Sequence, residues 1–211
     1  MSGRMMNDFS RNIKVVSIAF LILSLAACNP LAGGNNDYTS DEPPLAGAAI
    51  GGSFTLTNED GGQTSGEDFA GQYRIMYFGF SYCPDVCPTD LTKLMMGLKK
   101  AEADNPDLAA KIQPIFITLD PERDSPEIVK QYTANFHPRL LGLTGSQDEI
   151  DAVAKKFLII HEKREVEGAS EYLIDHSRQA YLFGPEGEPL ALLPYDGTPD
   201  EVASEILKWV S

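Results

Sequence analysis

Residues 74–90 read Arg-Ile-Met-Tyr-Phe-Gly-Phe-Ser-Tyr-Cys-Pro-Asp-Val-Cys-Pro-Thr-Asp, and the rest of the chain is arranged around them. The apolar and aromatic run at residues 75–80 predicts a buried strand. Cys83 and Cys87 follow it, separated by three residues, and a helical pattern begins directly afterwards. Two thiols between a strand and a helix N-terminus form a reactive site. Such a site can move electrons, a metal ion, or both.

The N-terminal segment, residues 1–27, has the pattern of an export signal. A positively charged start precedes an apolar run at residues 15–27, which is shorter than the ~20 residues of a membrane-spanning helix. The run ends in Leu-Ala-Ala-Cys28, which resembles a bacterial lipoprotein signal with cleavage before a lipidated Cys28. An uncleaved membrane anchor is the alternative. Both interpretations predict an exported, membrane-tethered domain, placed on the periplasmic side.

Residues 28–47 are rich in Pro, Gly, Asn, Asp and Ala, which predicts a flexible linker before a single folded domain at residues 48–211. The formal net charge of −14 offers no basic face to a nucleic acid backbone. If Cys28 carries the lipid, Cys83 and Cys87 are the only thiols of the domain. A disulfide that closes so short a loop stabilises a fold weakly, so we expect the pair to do chemistry.

Strand and helix patterns alternate along the domain, which predicts an α/β fold with a mixed sheet flanked by helices. The first helix is predicted to be capped by Thr89 or Asp90, and later helices by Ser125, Ser146 and Thr198. The second of these helices is expected to reach about Phe136. A charged stretch near residues 162–168 predicts an exposed hairpin or loop. The closing order, a strand, a hairpin and a helix, suits a thioredoxin-like fold.

The thiolate form of cysteine is both the nucleophile and the metal ligand, and a helix N-terminus favours it. Cys87 lies nearer the predicted helix start, so its pKa is expected to be the lower of the two. The spacing allows a disulfide, and it also allows both sulfurs to face one ion. Two thiolates are a soft donor set that suits Cu(I) and is compatible with zinc. A third ligand is then expected.

Three histidines could supply that ligand. His137 ends a helix and His161 opens a charged stretch, so both are expected to be exposed to solvent. His176 stands in Asp-His-Ser, between an apolar pair and a strand. It is the preferred candidate.

Three blocks together resemble the Sco/SenC family over roughly residues 45–210: Tyr-Cys-Pro-Asp-Val-Cys-Pro (82–88), Leu-Asp-Pro-Glu-Arg-Asp-Ser-Pro (119–126) and Asp-His-Ser (175–177). The resemblance implies a thioredoxin-like fold with an added β-hairpin. It implies that Cys83, Cys87 and His176 bind one copper ion, as Cu(I) or Cu(II). Asp120 and Asp124 map to the family's acidic block. We expect them to order a loop, because hard carboxylates suit Cu(I) poorly.

The resemblance also implies a function in assembling the binuclear copper site of cytochrome c oxidase. The chain would deliver copper to the subunit that holds this site, or reduce its cysteines, with other copper chaperones or thiol-disulfide proteins as further partners. The alternative is a thiol-disulfide oxidoreductase, which needs both cysteines but not His176. A thiol peroxidase is disfavoured, because Phe80 occupies the position where a threonine is expected.

Overall fold

The structure is a computed structural model that describes residues 41–165, 168 and 171–211. The predictions for the leader, for Cys28 and for the linker up to residue 40 therefore lie outside the described residues. Residues Asp41–Ser211 form one compact unit. Among the residues described, no helix combines the length and the apolar character needed to cross a membrane.

The secondary structure alternates between strands and helices, as the sequence predicts. The strands are β1 (Thr55–Asn58), β2 (Gln63–Ser65), β3 (Tyr73–Gly79), β4 (Ile112–Thr118), β5 (Leu141–Thr144), β6 (His161–Arg164), β7 (Leu173–His176), β8 (Ala180–Phe183) and β9 (Pro189–Leu193). The helices are α1 (Val86–Asp104), α2 (Pro106–Ala109), α3 (Pro126–Thr133), α4 (Gln147–Lys156) and α5 (Pro199–Trp209), with one 3-10 turn at Gly66–Phe69.

Seven strands form one mixed sheet in the order β2-β1-β5-β4-β3-β8-β9. The central strands β3, β4 and β5 are parallel, whereas β8 and β9 on one side and β1 and β2 on the other are antiparallel to their neighbours. Strands β6 and β7 form a separate two-stranded antiparallel sheet. Both the mixed sheet and the added hairpin that the sequence predicts are confirmed.

The central strand β3 is buried along its whole length, because helices cover both faces of the sheet. On one face, Tyr77 donates a hydrogen bond to Asp90 of α1. On the other face, the ring of Phe78 packs 5.5 Å from that of Phe157, which directly follows α4. Alternate residues of β3 therefore anchor opposite layers, and the carboxyl end of the strand leads into the cysteine pair.

The later helix caps are confirmed. The side chains of Ser125, Ser146 and Thr198 each accept a hydrogen bond from a backbone N–H of the first turn. The first helix start was predicted wrongly. Helix α1 begins at Val86 after Asp85, so Thr89 and Asp90 lie inside the helix. Helix α3 ends at Thr133, three residues before the predicted end.

Candidate metal centre

Cys83 and Cys87 lie where β3 gives way to α1. The backbone N–H of Cys83 donates to the carbonyl of Phe80, which closes a turn at the end of the strand. Cys87 is the second residue of α1 and packs against the strand end at Gly79. A Cβ atom at Gly79 would lie 3.1 Å from the Cys87 sulfur, so the missing side chain leaves room for the thiol.

The two cysteines are free and buried, but they are not equivalent. The backbone N–H of Cys87 donates to the Cys83 sulfur at 3.4 Å, so the start of the helix favours a thiolate at Cys83. A hydrogen bond from the Cys87 thiol, with a further contribution from His176, lowers the pKa of Cys83. Hydrogen bonding to Cys83 and complete burial raise the pKa of Cys87. The expectation that Cys87 has the lower pKa is therefore wrong, because hydrogen bonds from Cys87 favour the thiolate of Cys83 while burial favours the neutral thiol of Cys87.

His176 reaches the cysteine pair from the end of β7. Its Nε2 atom lies 3.2 Å from the Cys87 sulfur. Its Nδ1 atom lies 2.8 Å from the carbonyl oxygen of Ser177, which accepts the Nδ1–H hydrogen bond. This contact fixes the tautomer and leaves the Nε2 lone pair turned towards sulfur. The ring of Phe80 packs edge-on against the imidazole, with 6.0 Å between ring centroids.

Two thiols and an imidazole are a donor set that suits a soft metal ion. Across residues 41–165, 168 and 171–211, no group of three or more His, Cys, Asp or Glu side chains is already positioned so that it could hold a metal ion. The structure instead shows Cys87 in direct contact with both His176 and the turn that carries Cys83. The three predicted ligands are thus brought together without a preformed cage.

Asp120 joins the loop after β4 to the hairpin that carries His176. It is fully buried and accepts hydrogen bonds from Arg123 Nε at 2.5 Å and from the Tyr172 hydroxyl at 2.7 Å. Arg123 also donates to the carbonyl of Tyr172 and stacks 3.7 Å from the centroid of its ring. Tyr172 directly precedes β7, so this cluster fixes the position from which His176 extends.

Asp124 orders the other side of the site. It is fully buried and accepts hydrogen bonds from the backbone N–H of Ser81 at 2.9 Å and from the hydroxyls of Ser81 and Thr118. Burial raises the pKa of Asp124, against these hydrogen bonds, which favour the carboxylate. Ser81 lies two residues before Cys83. The contacts of Asp120 and Asp124 fit the loop-ordering role expected for them.

Sequence reasoning missed a buried ionic cluster beneath the cysteines. Asp90 is fully buried and accepts hydrogen bonds from Tyr77, at 2.9 Å, and from two nitrogens of Arg178, at 2.9 and 2.6 Å. Arg178 lies two residues after His176, so the pair ties the imidazole strand to α1. The signal was an aspartate four residues before Leu94, on the apolar face of the helix.

The other two histidines do not join the site. His137 is buried rather than exposed, with Nδ1 accepting the N–H of Arg139 and Nε2 3.4 Å from Glu102. Burial lowers the pKa of His137, so the neutral ring is favoured. His161 is half-buried and lies directly across the hairpin from His176. Its ring pairs with Asp151 instead, at 3.3 Å.

A mixed sheet whose central strand runs into a dithiol at a helix start defines a thioredoxin-like thiol protein. Residues 42–211 match the family model described as SCO1/SenC, and the chain belongs to this family. The chain is 43% identical to Protein SCO1 homolog 1, mitochondrial, of Arabidopsis thaliana, over 72% of this chain and 44% of that protein. It is 43% identical to Protein SCO2, mitochondrial, of Saccharomyces cerevisiae, over 66% and 46%. The chain therefore spans about half the length of these curated relatives.

Solved structures agree with the family and the fold. The chain resembles the crystal structure of Arabidopsis thaliana ScoI with copper bound, at 38% identity and a TM-score of 0.71, covering 76% of this chain and 97% of that one. It also resembles BsSco, a member of the Sco family of cytochrome c oxidase assembly proteins in which a disulfide switch has been identified. The sequence identity is 28% and the TM-score is 0.59, covering 79% of this chain and 96% of that one. A thioredoxin domain from Bacteroides vulgatus, at 18% and 0.52, covering 77% and 96%, shares the fold. The predicted thioredoxin-like fold is thereby confirmed.

Proposed function

We propose that this chain is a copper chaperone that binds one copper ion through Cys83 Sγ, Cys87 Sγ and His176 Nε2. The 3.2 Å contact between Cys87 and His176 carries this assignment, because the Nδ1–H bond leaves Nε2 free to coordinate. Cu(I) prefers thiolate and imidazole donors. Copper-bound relatives with the same fold support the choice of copper over zinc.

The ion is cargo, so it must leave as well as enter. The site lies on loops at one end of the sheet, where Tyr82, Pro84 and Asp85 are exposed beside the buried thiols. A partner's thiolate could approach there and share the ion before taking it. Transfer requires the dithiol, so oxidation to a Cys83–Cys87 disulfide would stop binding.

The partner we propose is the subunit of cytochrome c oxidase that holds the binuclear copper site, as the family membership suggests. Other copper chaperones or thiol-disulfide proteins would load or reduce the chain. A lipid on Cys28 would hold the domain on the periplasmic face of a membrane, within reach of the oxidase. BsSco, named as a member of a family of cytochrome c oxidase assembly proteins, supports the choice of partner.

The difference between the two thiols favours a second function, reduction of partner disulfides. Cys83 has the lowered pKa and the less buried sulfur, which suits an attacking thiolate. It would displace one partner sulfur and form a mixed disulfide. Cys87 would then attack Cys83 and release the second partner sulfur as a thiol. The products are a reduced partner and a Cys83–Cys87 disulfide, which an external dithiol must reduce again.

Copper binding by the reduced full chain in detergent separates these functions. The matched variants are His176→Ala and His161→Ala, since the two histidines face each other across the hairpin. Cu(I) affinity would be measured against a competing chelator, and Cu(II) binding by thiolate absorption. We expect one tight equivalent in the wild type and in His161→Ala, and at least tenfold weaker binding in His176→Ala. Equal affinity in all three proteins would exclude the three-ligand site and favour the disulfide reductase.

A further inference from the structure

A cavity lies at the opposite end of β3 from the cysteines. Its volume is about 280 Å³, and its walls include Arg74 and Met76 of β3 with the aromatic rings of Phe157 and Phe183. Arg74 and Phe80 are six positions apart along an extended chain, which corresponds to about 20 Å. The cavity is therefore remote from the candidate metal centre. It is smaller than most pockets for drug-sized molecules, which begin at about 300 Å³.

Arg74 brings a buried positive charge to this cavity. Its side chain donates from Nη2 to the carbonyl of Gly184 at 3.1 Å and from Nη1 to the carbonyl of Gly66 at 3.4 Å. Only 7% of the residue is exposed, and its buried Nε atom has no hydrogen-bond partner among the described residues. Burial lowers the pKa of Arg74, and only Glu188 opposes this effect electrostatically. Arginine nevertheless stays protonated in proteins.

No carboxylate in the described part of the chain forms an ion pair with Arg74. The carboxylate of Glu188 is engaged elsewhere, because it accepts the backbone N–H of Glu186 at 2.9 Å. Buried charges are normally paired, and an unpaired one is costly. Arg74 thus brings to the cavity wall a positive charge for which the described residues provide two carbonyl contacts and no ion pair, which favours an anion there.

The surroundings restrict which anion fits. Met76, Phe157 and Phe183 are at most 2% exposed and form an apolar wall. Glu67 and Glu186 are exposed at the mouth and repel ions of high negative charge. Gly187 approaches Arg74 so closely that a Cβ atom there would lie 3.0 Å from Nη2, so a glycine keeps the guanidinium uncovered.

We propose that this cavity binds a small organic monocarboxylate, with its carboxylate on Arg74 and its hydrocarbon part against Met76 and Phe183. A carboxylate matches the planar guanidinium in charge and shape. A monoanion with an apolar body fits the apolar wall and tolerates the acidic mouth. Inorganic phosphate, with more charge and no apolar part, fits less well.

Titration with sodium butyrate tests the proposal. The ¹⁵N-labelled full chain in detergent would be followed through the backbone amides of Gly66 and Gly187, with thermal unfolding as a second readout. We expect saturable shifts and a raised melting temperature with butyrate, at least tenfold weaker binding of phosphate, and no saturable binding of butyramide, the neutral analogue. Linear shifts without saturation, or equal binding of butyrate and butyramide, would overturn the proposal.

Variants locate the binding. Arg74→Met should weaken butyrate binding at least tenfold. Arg164→Met, which removes the same charge from an exposed pair with Asp175, should leave it unchanged. Ala70→Leu fills the cavity from its exposed rim while keeping Arg74, so it should also weaken binding. If Arg74→Met does not fold, butyrate binding by Ala70→Leu tests the proposal in its place. Wild-type affinity in Ala70→Leu, or in a folded Arg74→Met, would exclude this site.

Discussion

The Nε2 atom of His176 lies 3.2 Å from the Cys87 sulfur, although 89 positions separate the two residues in the chain. An ion held between a thiolate and an imidazole would place the two atoms roughly 3.6–3.8 Å apart, from bond lengths of about 2.3 and 2.0 Å in zinc sites taken as a guide. Loading this pair therefore requires an opening of only about half an ångström. Under the proposed function, the fold would hold the imidazole close to the position in which it coordinates copper.

The first prediction concerns thiol reactivity. In the reduced, metal-free chain, Cys83 should be alkylated much faster than Cys87 at pH 6, because its pKa is lowered by the hydrogen bond from Cys87 and Cys87 itself is buried. Mass spectrometry after a short iodoacetamide pulse would count the label on each residue. Cys87→Ala removes the donor thiol and should slow the labelling of Cys83 at pH 6. Equal labelling of both cysteines would contradict the assignment of roles.

The second prediction concerns the buried ion pair between Asp90 and Arg178. Arg178→Met leaves the carboxylate of Asp90 buried with Tyr77 as its remaining partner. Its free energy of unfolding should fall by about 3 kcal/mol, at the lower end for a broken buried pair because Arg178 is partly exposed. Copper affinity should fall too, since Arg178 lies two residues from His176.

Urea unfolding measures this effect, and Arg164→Met supplies the comparison. Arg164 pairs with Asp175 at an exposed position. Its loss should change the free energy of unfolding by at most ~0.5 kcal/mol. A similar change in both variants would mean that the Asp90 pair contributes no more than a surface contact.

The third prediction concerns the link between Tyr172 and Asp120. Tyr172→Phe keeps the ring under Arg123 but removes the hydrogen bond to the buried carboxylate. We expect a loss of about 1–2 kcal/mol in stability and faster hydrogen exchange at the Ser177 amide, which bonds to the carbonyl of Ile160 at the hairpin base. Unchanged exchange at Ser177 would show that the hairpin is held by other contacts.

Tyr132→Phe is the matched control for that change. The hydroxyl of Tyr132 is buried and has no hydrogen-bond partner among the described residues. Its removal should leave stability unchanged or slightly improved, since an unsatisfied polar group is lost. The contrast between the two tyrosines therefore measures the hydrogen bond rather than the loss of an oxygen atom.

The fourth prediction concerns pH. Burial lowers the pKa of His137 in the folded chain, whereas an unfolded histidine titrates near ~6.5. Below that pH, the histidine of the unfolded chain therefore binds a proton more readily than His137 of the folded chain does. The stability that neutral His137 provides is complete above pH ~6.5 and is lost as the pH falls, by up to ~1.4 kcal/mol per pH unit. Urea unfolding between pH 7.5 and 5.5 should show a steeper loss in the wild type than in His137→Asn. Identical slopes would contradict the buried, neutral ring.

Local chemistry made part of the fold predictable from the sequence. Ser125, Ser146 and Thr198 cap their helices as expected, because a cap depends on residues within one turn. The proximity of Cys83, Cys87 and His176 could also be inferred, because the donor chemistry and the family resemblance agreed. Asp120 and Asp124 came from the resemblance, and their contacts explain why that loop is acidic.

The errors arose where distant segments decide the environment. Aspartate often caps a helix, but Asp90 lies in the core because Arg178, 88 positions later, pairs with its carboxylate. His137 was expected to be exposed, but it is buried and contacts Glu102 and Arg139. The order of the two cysteine pKa values depends on which sulfur accepts hydrogen bonds and on which thiol is more deeply buried. Spacing along the chain marks Asp90 as a residue of the apolar helix face, but it does not identify the distant partners that set these environments.

The hairpin of β6 and β7 pairs its strands with each other and not with the seven-stranded sheet. The imidazole is thus carried by an insertion, while the dithiol lies between the central strand and the helix that follows it. The insertion could change without altering the strand and helix that hold the sulfurs. Under the proposed function, a change confined to this surface segment would alter the third copper ligand and leave the dithiol in place.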